Sequence, residues 1–128
     1  MSGFQGLGHH GDKAQIIVRD ENSPVTVAFI GRIDDVDPGS FMDPALQSIH
    51  DQILAAGLSE IAADFTELTF LNSSGIKSLI KWIMRQTELD DDQKYKIKLL
   101  YSSRVTWQQT SLKALTFLAP KTVSTVPA

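Results

Sequence analysis

The sequence predicts an α/β domain, a mixed β-sheet with helices packed mainly against one face. Strand-like and helix-like apolar spacings alternate along the chain in the order β-β-α-β-α-β-α, with one further short segment at the end. The first two strand segments are separated only by a tight turn and form a hairpin. The later ones are separated by helices, and a helical crossover requires its flanking strands to run parallel. At 128 residues the chain suits one domain that buries roughly 68 % of its unfolded surface.

Residues 1–13 read as a flexible N-terminal arm, with Gly3, Gly6, Gly8 and Gly11 and no basic patch followed by an apolar stretch. The domain occupies 14–128. Its first strand is Ala14 to Arg19 and its second Val25 to Ile33, where Val25, Val27 and Phe29 share one face. Asn22, Ser23 and Pro24 supply the turn between them.

After a polar loop from Asp34 to Ser40, Asp43 is positioned to cap a first helix with Pro44 at its first position. Met42, Leu46, Ile49 and Ile53 follow helical spacing, and Gly57 marks the stop. Glu60 to Phe65 reads as a short buried strand ending in a turn. A strongly amphipathic helix follows over Ile76 to Thr87, with Ile76, Leu79, Ile80 and Ile83 inward and Lys77, Lys81 and Arg85 outward. Tyr95 to Tyr101 alternates as a half-exposed strand. Ser102 and Ser103 open a third helix that buries Trp107, Leu112 and Leu115, and Pro120 to Val126 is an edge strand or a tail.

A net charge of −3 gives no general pull toward nucleic acid or anionic membrane. No cysteine is present, which removes disulfides, thiolate nucleophiles and Cys-ligated zinc and fits a reducing, cytoplasmic setting. The apolar runs are too short to span a bilayer. Proteins or small ligands are therefore the expected partners, with no cofactor or metal called for.

The segment Asp64-Phe65-Thr66-Glu67-Leu68-Thr69-Phe70-Leu71-Asn72-Ser73-Ser74-Gly75-Ile76 resembles the signature of STAS domains, found in bacterial anti-sigma factor antagonists. In that family a strand ending in Asp leads through a turn to Asp-Ser-Ser/Thr-Gly at a helix start. Gly31-Arg32-Ile33-Asp34 is similar to the family's Gly-x-Ile/Leu-Asp after its second strand, and the element order agrees from about Ala14 to Phe117.

The resemblance implies partner switching. The unmodified domain binds a serine kinase or anti-sigma factor of the histidine-kinase-like ATPase fold, and phosphorylation of a serine blocks docking until a cognate phosphatase removes it. By position the acceptor is Ser73, with Ser74 the neighbouring hydroxyl. The implied partner surface is Asn72, Ser73, Ser74, Gly75, Lys77, Ser78, Lys81, Trp82 and Arg85. Trp82 lies beside the inner stripe, a place that serves either a partner anchor or a core flank. Asn72 departs from the pattern, since an amide lacks the charge with which an aspartate recognises a kinase or positions a metal or phosphate. A constitutive, unphosphorylated scaffold and a small-ligand or nucleotide-binding domain are the alternatives.

An enzyme reading needs Ser73 joined to His50 as base and to an orienting aspartate, and nothing in the sequence brings them together. His50, beside Asp51, is expected to face solvent. Gly75-Ile76-Lys77-Ser78 is not a phosphate-binding loop, which requires glycine directly before the lysine, where Ile76 stands. His9 and His10 fall in the arm, and two adjacent histidines do not make a metal site.

Overall fold

In the computed structural model, residues 3–128 are described. Among these residues six strands and three helices follow in the order β1 (His9–His10), β2 (Ala14–Arg19), β3 (Val25–Ile33), α1 (Gly39–Ala56), β4 (Glu60–Leu71), α2 (Ser73–Thr87), β5 (Lys96–Tyr101), α3 (Thr106–Thr116) and β6 (Val123–Pro127). The strands form one sheet in sequence order. β1, β2 and β3 pair antiparallel, and β3, β4, β5 and β6 pair parallel. Each parallel crossover steps to the next strand in the same direction, so right-handed connections place all three helices on one face.

The hairpin and the crossovers are as the sequence predicts, and the final segment is an edge strand paired to β5. Within the segment read as a loose arm, His9–His10 pairs with Gln15 and Ile16, His9 stacks on Phe41 at 4.1 Å, and Phe4 is buried.

Element boundaries are corrected at α1, β4 and α3, and α2 begins at Ser73 rather than at Ile76. α1 begins at Gly39 rather than at an Asp43 cap, because Ser40 Oγ donates to Asp37 O and Met42 N to Pro38 O, closing a turn earlier. Pro44 then sits inside the helix, where its missing N–H costs only the bond to the fourth residue before it. β4 runs through the expected turn to Leu71. Asp64 Oδ1 accepts from Thr66 N and Oγ1 at 2.9 and 2.7 Å, and the β3–β4 register slips twice, so the turn-like residues form bulges that bend the strand. α3 starts at Thr106 instead of Ser102, whose backbone N–H is held by Gln108 Oε1 at 2.7 Å.

One hydrophobic core fills the space between sheet and helices, contributed by Ile16, Val27 and Phe29, Ile61, Ala63 and Phe65, Ile97 and Leu99, and the inner faces of the helices. The Phe29 and Phe65 rings stack with centroids 4.6 Å apart. Gly31 matters to the bend at the end of β3. Its φ of +96° suits glycine, and a Cβ there would lie 2.1 Å from the Lys13 carbonyl oxygen.

His50 is not exposed as expected but 4 % accessible, with Nδ1 2.7 Å from Tyr95 Oη. Trp82 Nε1 donates to the same oxygen at 2.9 Å. The Tyr95 proton is therefore directed to His50 Nδ1, which places the imidazole proton on Nε2. Burial lowers the His50 pKa, Asp51 opposes the shift and Arg85 adds to it. Because the folded value lies below the ordinary His value, the folded state favours neutral His50. That stability is fully present above about pH 6.5 and is lost as pH falls through the folded pKa. The urea midpoint of the wild type should fall between pH 7 and 5 more steeply than that of His50→Gln. Parallel profiles would show that His50 does not couple folding to protons.

Candidate functional site

The site is built where β3 and β4 end and α2 begins. One backbone and one side-chain bond join the strand ends: Asn72 N donates to Ile33 O at 3.0 Å, and Thr69 Oγ1 to Gly31 O at 3.0 Å. From the far side Trp107 Nε1 donates to Thr69 O at 3.0 Å, which ties the start of α3 to the same corner. Trp107 is accordingly only partly buried rather than a central core residue.

Asn72 uses both ends of its amide. Oδ1 accepts from Gly75 N at 2.8 Å and caps α2, while Nδ2 donates to Asp35 O at 2.7 Å and holds the β3–α1 loop. An aspartate can perform the first task but has no N–H for the second. The departure from the family motif thus has a structural reason. Gly75 is equally constrained, since a Cβ would meet Leu71 Cδ1 at 2.4 Å and Ile33 Cγ2 at 3.1 Å.

The serines lie within the first turn of α2, not in a turn before it. Ser73 is exposed and Ser74 half-buried. Free first-turn N–H groups and the positive end of the helix dipole make this a favourable place for an anion. Lys77 follows four residues after Ser73 on the exposed face.

Ser74 lines a groove of about 420 Å³ between α1 and α2, together with Asp37, Asp43, Lys77 and Lys81. Lys81 Nζ bonds Asp43 Oδ2 at 2.9 Å and links the two helices. Burial pushes the Asp43 carboxyl up, but Lys81 and Ser78 beside it and the more distant Arg85 hold it below the usual carboxylate range. Asp34, at the end of the Gly-Arg-Ile-Asp segment, bonds Lys13 Nζ at 3.2 Å and Arg32 Nε at 2.9 Å. The Lys13 hydrogen bond leads the causes that lower its pKa.

Of the expected partner surface, the structure exposes Ser73, Lys77 and Lys81 and leaves Asn72, Ser74 and Arg85 half-buried. Gly75, Ser78 and Trp82 are buried and drop out of it. Trp82 is 1 % accessible, inside the molecule against Phe29 and Tyr95. The inner stripe of α2 is Gly75, Ser78, Leu79, Trp82, Ile83 and Gln86, rotated from the stripe read off the apolar residues alone. His50 is bonded to Tyr95, not to either serine.

Sequence reasoning missed two exposed apolar residues on the segments that lead into this corner. Val36, in the loop held by Asn72, is 99 % accessible, and Phe70, at the end of β4, is 48 % accessible. An apolar residue inside a polar loop, and a phenylalanine three residues before the acceptor, were the available signals. Among the described residues no group of acidic, histidine or cysteine side chains is arranged to hold a metal. No described helix is long and apolar enough to cross a membrane.

This architecture is the STAS-like fold. A crystal structure of an anti-sigma factor antagonist from Mycobacterium paratuberculosis superposes with a TM-score of 0.56 at 20 % identity, over 87 % of this chain and 86 % of that one. A chain in the crystal structure of diguanylate cyclase SiaD in complex with its activator SiaC, from Pseudomonas aeruginosa, superposes with a TM-score of 0.65 at 12 % identity, over 95 % and 99 %. No protein-family model matches the sequence, and no curated protein matches it.

Proposed function

We propose that the chain is a regulatory protein-binding domain, an anti-sigma factor antagonist or a related partner-switching component, rather than an enzyme. Its partner is a serine kinase or anti-sigma factor of the histidine-kinase-like ATPase fold, and phosphorylation of Ser73 switches docking off until a cognate phosphatase restores it. The observation that carries this reading is the exposed Ser73 on the first turn of α2, with exposed apolar residues on the segments that lead into this corner, Phe70 at the end of β4 and Val36 in the loop that Asn72 holds. Both structural neighbours support a protein-binding role, since one is an anti-sigma factor antagonist and the other complex contains an activator of a cyclase.

Ser73 is preferred over Ser74 because it is the more exposed hydroxyl. A phosphate adds about −1.5 to −2 charges, and the helix dipole stabilises it by about 0.3–1 kcal/mol. The fold therefore tolerates the modification. The cost falls on the docked complex, which must accommodate a hydrated dianion at the start of α2, and about 1.4 kcal/mol is enough for a tenfold change in affinity.

A pull-down from the native cell with wild-type protein and with Ser73→Asp tests the switch. Ser73→Asp should bind the captured partner at least about tenfold more weakly while its urea midpoint stays that of the wild type. Mass spectrometry of the native protein should find phosphate on Ser73. Equal binding by both forms, with no phosphate on either serine, would leave the constitutive scaffold as the better reading.

A further inference from the structure

At the far end of α2 from the serines, about 22 Å away for its 15 residues at 1.5 Å each, a second cleft opens. It has a volume of about 600 Å³ and lies where α2 ends, β4 and β5 begin and the turn after α3 passes. That volume is in the range of small-molecule sites.

Its lining carries Lys94, Lys96 and Lys121 against a single acid, Asp91. The Asp91 side chain is fully exposed and 3.2 Å from Lys94, so one ammonium is answered and two are not. Lys96 and Lys121 are exposed, and among the described residues neither ammonium has a hydrogen bond or ion pair. Asp90 and Asp92 of the same acidic loop do not line the cleft.

The apolar part of the lining is the exposed Pro120, with Ala119 and Tyr95 buried behind it. Thr122 adds an oriented donor. Its Oγ1 accepts from Gln86 Nε2 at 2.9 Å, which leaves its own proton to be given to a ligand. Two unanswered ammonium groups and the Thr122 hydroxyl select negative charge, and Pro120 with the aliphatic stems of the lysines selects an apolar body.

We propose that this cleft binds a small organic anion, a phosphate or carboxylate carried on an aromatic or similarly flat apolar group. An inorganic anion would leave the apolar lining wet, and a neutral ring would leave both lysines unanswered, so neither half of the ligand binds well alone.

The test is an amide NMR titration of the whole chain with phenyl phosphate, benzoate, inorganic phosphate and benzyl alcohol. Phenyl phosphate or benzoate should give saturable shifts confined to Ser59, Lys96, Ala119, Lys121 and Thr122, and comparison of the two ranks phosphate against carboxylate. Inorganic phosphate and benzyl alcohol should each bind at least about tenfold more weakly, and the surface double variant Lys96→Gln/Lys121→Gln should lose roughly tenfold in affinity for phenyl phosphate. Shifts that do not saturate, that centre on Lys77 and the α2 N-terminus, or that persist unchanged in the double variant would overturn the proposal. The cleft is remote from Ser73, so this result and the outcome of the partner pull-down are independent.

Discussion

Trp82→Ala is expected to lower the free energy of unfolding by about 3–5 kcal/mol, the range for deleting a large buried aromatic side chain. The indole is 1 % accessible, its ring lies 6.5 Å from that of Phe29, and its N–H donates to Tyr95 Oη. Alanine removes packing from the middle of the core and also the donor that fixes the Tyr95 proton toward His50. Trp82→Phe retains most of the apolar area and should lose less than half as much. Urea denaturation followed by circular dichroism measures both. Partner affinity discriminates burial from surface function, because Trp82→Phe should dock as the wild type does while Ser73→Asp should not. Full stability combined with lost docking would put the indole back on the surface.

The element order and the serine-bearing helix start were legible because strand alternation, helical spacing and the Asn-Ser-Ser-Gly turn chemistry all point the same way. The phase of α2 was not. Its inner stripe includes Gly75, Ser78 and Gln86, and small or polar residues on a buried face draw an apolar count toward Ile76 and Ile80, which are only half-buried. Gln86 is held inside by Thr122, a tertiary partner 36 residues away that no local pattern reveals. The same holds for His50, whose burial depends on Tyr95 and Trp82 being brought to it by two other elements. The bulged second half of β4 was hidden for a different reason. Asp64 and Thr66 bond each other as turn residues do, yet pairing with β3 continues beyond them. The bond from the Asn72 amide to Asp35 O, beside Val36, is likewise a tertiary link across 37 residues that no local pattern reveals.

Gln108→Leu should destabilise the fold by about 3 kcal/mol although it conserves shape and adds apolar character. Gln108 is fully buried, and its amide serves three backbone groups: Nε2 donates to Phe65 O and to Leu68 O, the latter at 2.7 Å, and Oε1 accepts from Ser102 N at 2.7 Å. The two carbonyls flank the bulge where β3–β4 pairing slips, so the glutamine replaces ladder bonds that the bend gives up. Leucine leaves all three groups without it, at about 1–3 kcal/mol for each one that stays buried and unpaired, and partial hydration of the loop end sets the total near the lower end of the sum. The loss should be concentrated at the corner that presents Ser73, because Trp107 on the same turn of α3 holds Thr69 O, two residues before Leu71. Urea denaturation gives the magnitude. Amide exchange gives the place, with Ser102, Asn72 and Gly75 expected to lose protection before the centre of β5. A destabilisation under about 0.5 kcal/mol, the level of an ordinary surface substitution, would mean that the bend in β4 holds without α3, and that the serine corner is supported by Asn72 and the β3 ladder alone.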